Sequence, residues 1–341
     1  MSVHENGTAV SQAPSQAPPQ ARSPGREEAP TAPQEERSPA HATEPAPRGP
    51  STGRATGQAT GPATGRTTGR ATRHLTRLLA SEIGLTFRRP RNLAMLGVLA
   101  VVPVLVGIAV RVASDGDVGG SIIGQIAGNG LMLTFAAFGV MMPIVLPLTV
   151  AVVAGDAIAG EAAQGTLRYL LVAPAGRTRL LALKYANVVV FCLAACALVA
   201  LSALAAGLVL FPAGPVTLLS GVTIPAADAL LRVGVVVLYA TAGLAALGAV
   251  ALAVSTLTEA PIGAVAASVV LVVVSQVLTA IPQLAAVRPF LLTSWWSAFD
   301  GALRAPVAFD QMGQGLLAFA AYVLVFGSFA WSRLTSKDIT A

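Results

Sequence analysis

The chain has 341 residues, of which 54% are hydrophobic and 11% are charged, and its mean hydropathy is +0.70. This composition excludes an ordinary soluble enzyme and indicates a polytopic membrane protein. The formal net charge is +6, but the bases are scattered over an N-terminal segment and the ends of apolar runs. Their distribution favours a role in membrane topology over a nucleic-acid-binding surface.

The N-terminal segment consists mainly of small and polar residues, and an Ala-Thr-Gly unit recurs at Ala55, Ala59 and Ala63. Because so little apolar surface cannot offset the entropy of ordering a chain, the segment is not expected to fold. Residues 1–71 are therefore predicted to be a disordered cytosolic extension. Residues 72–341 are predicted to form one transmembrane domain.

From Thr72 the sequence predicts an amphipathic helix that lies in the headgroup layer, or alternatively a solvated helix that packs on a partner. Arginines on both sides of Pro90 end this helix and are predicted to anchor it at the membrane surface. These arginines are Arg88, Arg89 and Arg91. The apolar residues at helical spacing are Leu75, Leu78, Leu79, Ile83 and Phe87.

Six apolar segments follow, and each is long enough to cross the hydrocarbon layer as a helix. Arginines before the first segment and acidic residues after it place the N-terminus in the cytosol, and six crossings return the C-terminus there. The sequence thus predicts an all-α polytopic membrane protein with six transmembrane helices and both termini inside. A short tryptophan-containing helix is expected outside, between residues 288 and 304. The predicted spans are 93–112, 131–154, 185–211, 230–254, 262–281 and 315–331.

Polar or helix-breaking residues interrupt two of these spans. Pro143 and Pro147 lie in the second span and should kink it, since neither can donate to the helix ladder. Gln276 is a polar residue in the fifth span. These three residues are candidates for a substrate pathway, and the alternative is that they serve only as packing kinks and hydrogen bonds between helices.

The interval from Gly155 to Lys184 brings acids, bases and turn-forming residues together between the second and third spans. Asp156 is predicted to cap a helix, with Glu161 near its positive end. This short helix would run along the cytosolic surface, unless the interval is a plain connection. Three leucines at helical spacing give the helix an apolar ridge. They are Leu167, Leu170 and Leu171.

The sequence contains no motif for catalysis or nucleotide binding. No GxxxxGK[ST] loop, HExxH or GxSxG occurs, and His4, His41 and His74 all precede the first span. We therefore expect no catalytic residues, no metal site and no cofactor bound by this chain.

The interval between the second and third spans resembles the first cytosolic loop of type-2 ABC transporter permeases, the membrane subunits of ATP-driven exporters. The six-span layout, the amphipathic helix before it, the outer helical segment and the basic tail are similar to that family as well. The resemblance covers about residues 72–341 and leaves the N-terminal extension out. It is carried by Gly155-Asp156, Ala159-Gly160-Glu161, Gly165-Thr166-Leu167, Leu170-Leu171, Pro174, Arg177 and Lys184.

The resemblance implies a permease subunit in the inner (cytoplasmic) membrane that works as a homodimer or heterodimer. A separate ATP-binding subunit would carry ATP and Mg, and this chain would not be an enzyme. Arg177 and Lys184 would anchor the loop at the headgroups. The residues that would couple to the ATP-binding subunit are Asp156, Glu161, Leu167, Arg168, Leu170 and Leu171.

Two other classes of function remain open at this point. One is a secondary transporter driven by protons or sodium, which usually places carboxylates near the middle of the membrane. The predicted spans contain no Asp or Glu, and this disfavours ion-driven transport. The other is a membrane scaffold that transports nothing, in which mutation of the interval would cause no transport defect.

Replacing Leu170 with Asp tests the coupling assignment, because it places a charge on the predicted ridge without altering a span. We expect the variant to insert and accumulate normally but to lose its association with the ATP-binding subunit, as measured by co-purification. Loss of the protein itself would show that Leu170 belongs to the core and that the docking assignment is wrong.

Overall fold

The computed structural model describes residues 67–114, 124, 128–165, 176–212, 214–218 and 221–336. Most of the predicted N-terminal extension lies outside these ranges. The amphipathic helix begins at Thr67, earlier than the predicted start at Thr72. It ends at Arg88, and the next helix begins at Pro90, so the predicted arginine cluster forms the junction between two helices.

The described chain is mostly helical. A two-stranded antiparallel hairpin, β1 (Val216–Thr217) and β2 (Thr223–Ile224), departs from the all-α prediction. A 3-10 helix, Leu292–Leu303, occupies the region where a short outer helix is predicted. The α-helices are α1 (Thr67–Arg88), α2 (Pro90–Ser114), α3 (Met132–Met141), α4 (Val145–Ala163), α5 (Arg177–Leu210), α6 (Ala226–Leu257), α7 (Pro261–Ala280) and α8 (Phe309–Ser336).

Within the described residues, six helices are long and apolar enough to cross a membrane, namely α2, α4, α5, α6, α7 and α8. A helix satisfies its backbone hydrogen bonds internally, which the hydrocarbon layer requires. The prediction of a polytopic, helical membrane protein is confirmed. The helix α6 is the central one, and it packs against α4, α5, α7 and α8.

The second predicted span is wrong in its bounds. Instead of one kinked helix over 131–154, the chain forms α3, a turn at residues 142–144, and then α4. Pro143 lies in the turn, and Pro147 is in the first turn of α4, where a backbone N–H would have no partner within the helix. The helix α4 then continues to Ala163 and ends before Gly165, whose φ of +68° suits glycine.

Contacts between helices orient the bundle. Glu82 of α1 and Trp331 of α8 both bind the first turns of α5, at Lys184 and Thr178 respectively. The helix α1 and the last turns of α8 therefore lie at the same end of the bundle. We call this end the charged end, and the end that holds the 3-10 helix the opposite end.

Two glycines allow a close backbone contact at the opposite end. A Cβ on Gly207 of α5 would lie 2.1 Å from the carbonyl oxygen of Gly130, and a Cβ on Gly130 would lie 2.2 Å from that of Gly207. Backbone atoms cannot yield as a flexible side chain does, so neither position accommodates a methyl group. This contact fixes the segment before α3 against α5.

We expect Gly207→Ala to destabilise the protein by about 1–3 kcal/mol, because the added methyl group forces the two backbones apart. The measurement is the thermal unfolding midpoint of the detergent-purified protein. Gly234→Ala in α6 is the matched control, because a Cβ there meets nothing within 4 Å. Equal midpoints for the two variants would contradict the close contact.

Candidate functional site

A cluster of six ionisable side chains joins four helices at the charged end. It combines three bases and three acids from α1, the α1–α2 junction, α4 and α5. We call it the charged cluster. Its members are Glu82, Arg89, Arg91, Asp156, Glu161 and Lys184.

Lys184 is the most deeply buried base of the charged cluster, with 7% of its side chain exposed. Its ammonium donates to Glu82 Oε2 at 3.0 Å and also pairs with Glu161 Oε1. The prediction that Lys184 anchors the loop at the headgroups is therefore wrong. Because α5 begins at Arg177, before the predicted start of the third span, Lys184 lies inside the bundle and binds α1 and α4.

Asp156 forms ion pairs with both arginines of the α1–α2 junction. Its Oδ2 lies 2.6 Å from Arg89 Nη1 and 2.9 Å from Arg91 Nη2. A Cβ on Gly160, one turn later, would lie 2.5 Å from Asp156 Oδ1, so glycine leaves room for the carboxylate. Both arginines remain about half exposed, whereas Asp156 is largely covered.

The predicted roles of the two acids in helix capping are wrong. Asp156 and Glu161 do not begin a helix after the second span but lie in the last turns of α4. The residues around them include several alanines and an isoleucine, which continue a helix readily. Arg89 and Arg91 pair with Asp156, and Lys184 pairs with Glu161. Because both acids have basic partners, α4 can continue through them.

Neutral hydrogen bonds reinforce the same junction. Asn187 Nδ2 of α5 donates to Thr86 Oγ1 of α1 at 2.7 Å, and Asn92 Nδ2 of α2 donates to the Thr86 carbonyl at 2.8 Å. All three residues are buried. Buried polar groups that are paired in this way hold α1, α2 and α5 in one arrangement.

Ser255 of α6 fixes α4 from its other side. Its Oγ accepts from the backbone N–H groups of Ile158 and Ala159 at 3.2 and 2.9 Å, and donates to the Gly155 carbonyl at 2.7 Å. Gly155 also lies against Val265 of α7, where a Cβ would be 3.0 Å from Cγ2. The predicted spans leave Ser255 in the connection between the fourth and fifth spans, and because Thr256, Thr258 and Glu259 follow it, no signal in the sequence marks it as a bond between helices.

The other predicted site residues fall into two groups. Arg88 is exposed at the end of α1, as expected of a surface residue. Of Arg177 the structure describes only the backbone, at the start of α5. The remaining coupling residues lie outside the described residues, in the connection between α4 and α5. They are Leu167, Arg168, Leu170 and Leu171.

The three candidate pathway residues lie together. Gln276 Nε2 of α7 donates to the Pro143 carbonyl at 3.3 Å, and both residues line a groove with Pro147. The groove has a volume of about 370 Å³ and is otherwise lined by aliphatic side chains of α4, α7 and the turn between α3 and α4. It can hold an apolar group but offers no group for catalysis.

The charged cluster also lacks the features of a metal or catalytic centre. Within the described residues, no three His, Cys, Asp or Glu side chains form a group that could hold a metal ion. The carboxylates of the cluster are paired with bases. The arrangement is therefore suited to holding helices together.

Removing Lys184 tests the charged cluster. We expect Lys184→Met to destabilise the protein by about 3–5 kcal/mol, because two largely buried carboxylates lose their shared ammonium. The double variant Lys184→Met/Glu161→Gln should recover part of this loss, since it also removes one of those charges. The measurement is the fraction of protein that remains monodisperse after heating.

Arg333→Met is the control, because this arginine is exposed in the last turn of α8. It should leave the heat-resistant fraction unchanged. If Lys184→Met is as stable as the control, the ammonium is not the bond that joins α1, α4 and α5.

Comparison with known protein families matches residues 118–340 to a family model. A search of curated proteins finds no match. The match includes Asp156, Glu161 and Lys184 and begins after the junction that carries Arg89 and Arg91. Because the family model covers more than half of the chain, the chain belongs to the family described as protein of unknown function (DUF2705).

Proposed function

We propose that the chain is the transmembrane permease subunit of an ATP-driven exporter of the ABC type. The observation that carries the proposal is the charged cluster, which ties both helices flanking the 164–176 connection to α1. ATP and Mg would bind to a separate subunit, because this sequence has no phosphate-binding loop.

The geometry of the charged end suits a mechanical link. The connection leaves α4 at Gln164 and enters α5 at Arg177. Glu161 and Lys184, on either side of it, form an ion pair. A subunit that displaced the connection would therefore move α4 and α5 together, and α1 with them through Glu82. Rigid helices with few alternative arrangements are the means by which such displacements reach a distant site.

The distribution of charge supports the proposed orientation. Arg88, Arg89 and Arg91 lie at the charged end, beside the end of α8 that carries Arg333. By the positive-inside rule this end would face the cytosol, with both termini inside and the protein in the inner membrane. A cytosolic ATP-binding subunit would then meet the connection between α4 and α5.

The groove between α4 and α7 would form part of the substrate pathway. Ile144 and Val273 on its walls are 68% and 53% exposed, so the groove is open at the side of the bundle. A second permease subunit, identical or different, would close it. We propose a dimer of permease subunits for this reason.

An ion-driven transporter is the alternative. Asp156 and Glu161 lie inside α4 rather than in a loop, so the argument that the spans lack acids is wrong. Both acids nevertheless lie at one end of the helix and are bound by bases, whereas coupling-ion sites usually lie near the middle of the membrane. Their position therefore favours a structural role.

Cross-linking from the connection tests the proposal. Gln164 is exposed and the native Cys192 and Cys196 are buried, so a cysteine at position 164 would be the reactive thiol of choice. We expect Gln164→Cys to cross-link to the ATP-binding subunit in the complex purified in mild detergent from the cells' own membranes. That complex should hydrolyse ATP.

Thr223→Cys, exposed in the hairpin at the opposite end, is the matched control and should form no such product. The proposal fails if no ATP-binding subunit co-purifies with the tagged chain. It also fails if the only cross-links to that subunit come from position 223.

A further inference from the structure

We propose that the groove between α4 and α7, together with a polar cavity beside it, forms one binding site for an amphiphilic cation. The apolar tail would lie in the groove and the positive head beside Asp300. This inference rests on the proposed permease function for its role as a substrate site, but the binding itself requires no partner subunit.

The two spaces lie side by side. The polar cavity has a volume of about 290 Å³ and shares Pro143 and Gln276 with the 370 Å³ groove. The hydrogen bond from Gln276 to the Pro143 carbonyl thus lies at their boundary. A molecule with a long apolar part and a compact polar part could occupy both spaces at once.

The groove provides the apolar half of the site. Its α7 wall includes Val273 and Val277, which are 53% and 55% exposed. Its α4 wall includes Pro147 and Leu148. Because α4 and α7 are both membrane-spanning candidates, the open side of the groove in a single subunit would face hydrocarbon, from which an amphiphile can enter tail first.

The cavity provides the polar half. Thr279 and Thr293 line it, but their hydroxyls already bond to Ser275: Thr279 donates to the Ser275 carbonyl at 2.8 Å, and the Thr293 and Ser275 hydroxyls lie 2.7 Å apart. Asp300 also lines the cavity. Its carboxylate makes no hydrogen bond or ion pair with any residue that the structure describes.

The charge of the cavity determines the kind of head it would accept. Of the described residues that line the cavity, only Asp300 has an ionisable side chain, and none is Lys or Arg. Partial burial raises the pKa of the Asp300 carboxyl above its ordinary value, while the field of Arg304 acts in the opposite direction. Asp300 is exposed, and a cation in the cavity would pair with its carboxylate.

The presence of Asp300 without a basic residue in the cavity also disfavours an ordinary phospholipid as the ligand. A phosphate group in the cavity would lie beside a carboxylate with no base to bind it, and like charges at close range repel. A single positive head on one apolar tail fits the arrangement. Dodecyltrimethylammonium has this chemistry and serves as the probe.

The test is equilibrium binding of radiolabelled dodecyltrimethylammonium to the full chain in phosphatidylcholine nanodiscs, with binding to empty nanodiscs subtracted. We expect saturable binding that dodecyl sulfate at the same concentration does not displace. Asp300→Asn should weaken it about tenfold, as expected for loss of one partly desolvated charge pair. Val273→Phe, which narrows the groove, should weaken it as well.

Two matched variants control for general damage. Asp310→Asn removes an exposed acid at the start of α8, and Val270→Phe enlarges an exposed valine of α7 outside the groove. Both should bind the probe as the native chain does. All four variants are compared only as monodisperse protein.

The proposal is overturned if binding is not saturable, or if Asp300→Asn binds like Asp310→Asn. Displacement by dodecyl sulfate would also overturn it, as would a co-purifying phospholipid that the cation fails to displace. Because the assay contains no ATP-binding subunit, these results are independent of the cross-linking experiment. Either proposal can therefore fail while the other stands.

Discussion

The arrangement of the charged end depends on the burial of one ammonium group. Lys184 has only 7% of its side chain exposed, and a buried charge without partners would cost several kcal/mol. Its two partners, Glu82 and Glu161, come from α1 and α4, so both ion pairs of the ammonium form only when three helices meet. The bonds of Asp156 to Arg89 and Arg91 add the start of α2 to this group. The bond of Asn187 to Thr86 holds α5 against α1, so these helices have little freedom to move apart.

The helix α4 carries this constraint across the bundle. Its last turns hold Asp156 and Glu161 and are bound to Ser255 of α6, while its first turn holds Pro147 in the groove wall. Nineteen residues of α-helix extend roughly 28 Å at about 1.5 Å per residue. A single rigid element thus connects the charged cluster with the groove and the polar cavity.

Local pattern predicted the spans well, because an apolar run of about twenty residues has few alternatives to a membrane helix. The local sequence pattern failed where partners that are distant in the sequence allow a segment with charged residues to remain helical. The sequence predicts that the two acids of α4 lie at the start of a separate helix, because their partners are not visible nearby: Arg89 and Arg91, which bind Asp156, lie 67 and 65 residues away. The tryptophan-containing segment over 288–304 is predicted to lie at the outer interface, but Trp296 in it is only 2% exposed, because it packs against Gly243 of α6. The grouping of Pro143, Pro147 and Gln276 was partly predictable, since helix-breaking and polar residues are rare in such spans.

The placement of both proposed sites on α4 has a thermodynamic consequence. A ligand changes a conformational equilibrium only by its difference in affinity for the two states. If docking at the connection favours a position of α4 in which the groove binds its ligand more tightly, occupation of the groove must favour docking by the same factor. The bonds of α4 to α6 and α7 oppose such a shift, since Ser255 binds three backbone groups of one turn and Gly155 permits no gap to Val265. A displacement that respects these contacts would move α6 and α7 with α4, and the ion pairs of the charged cluster would carry α1 and α5 along as well.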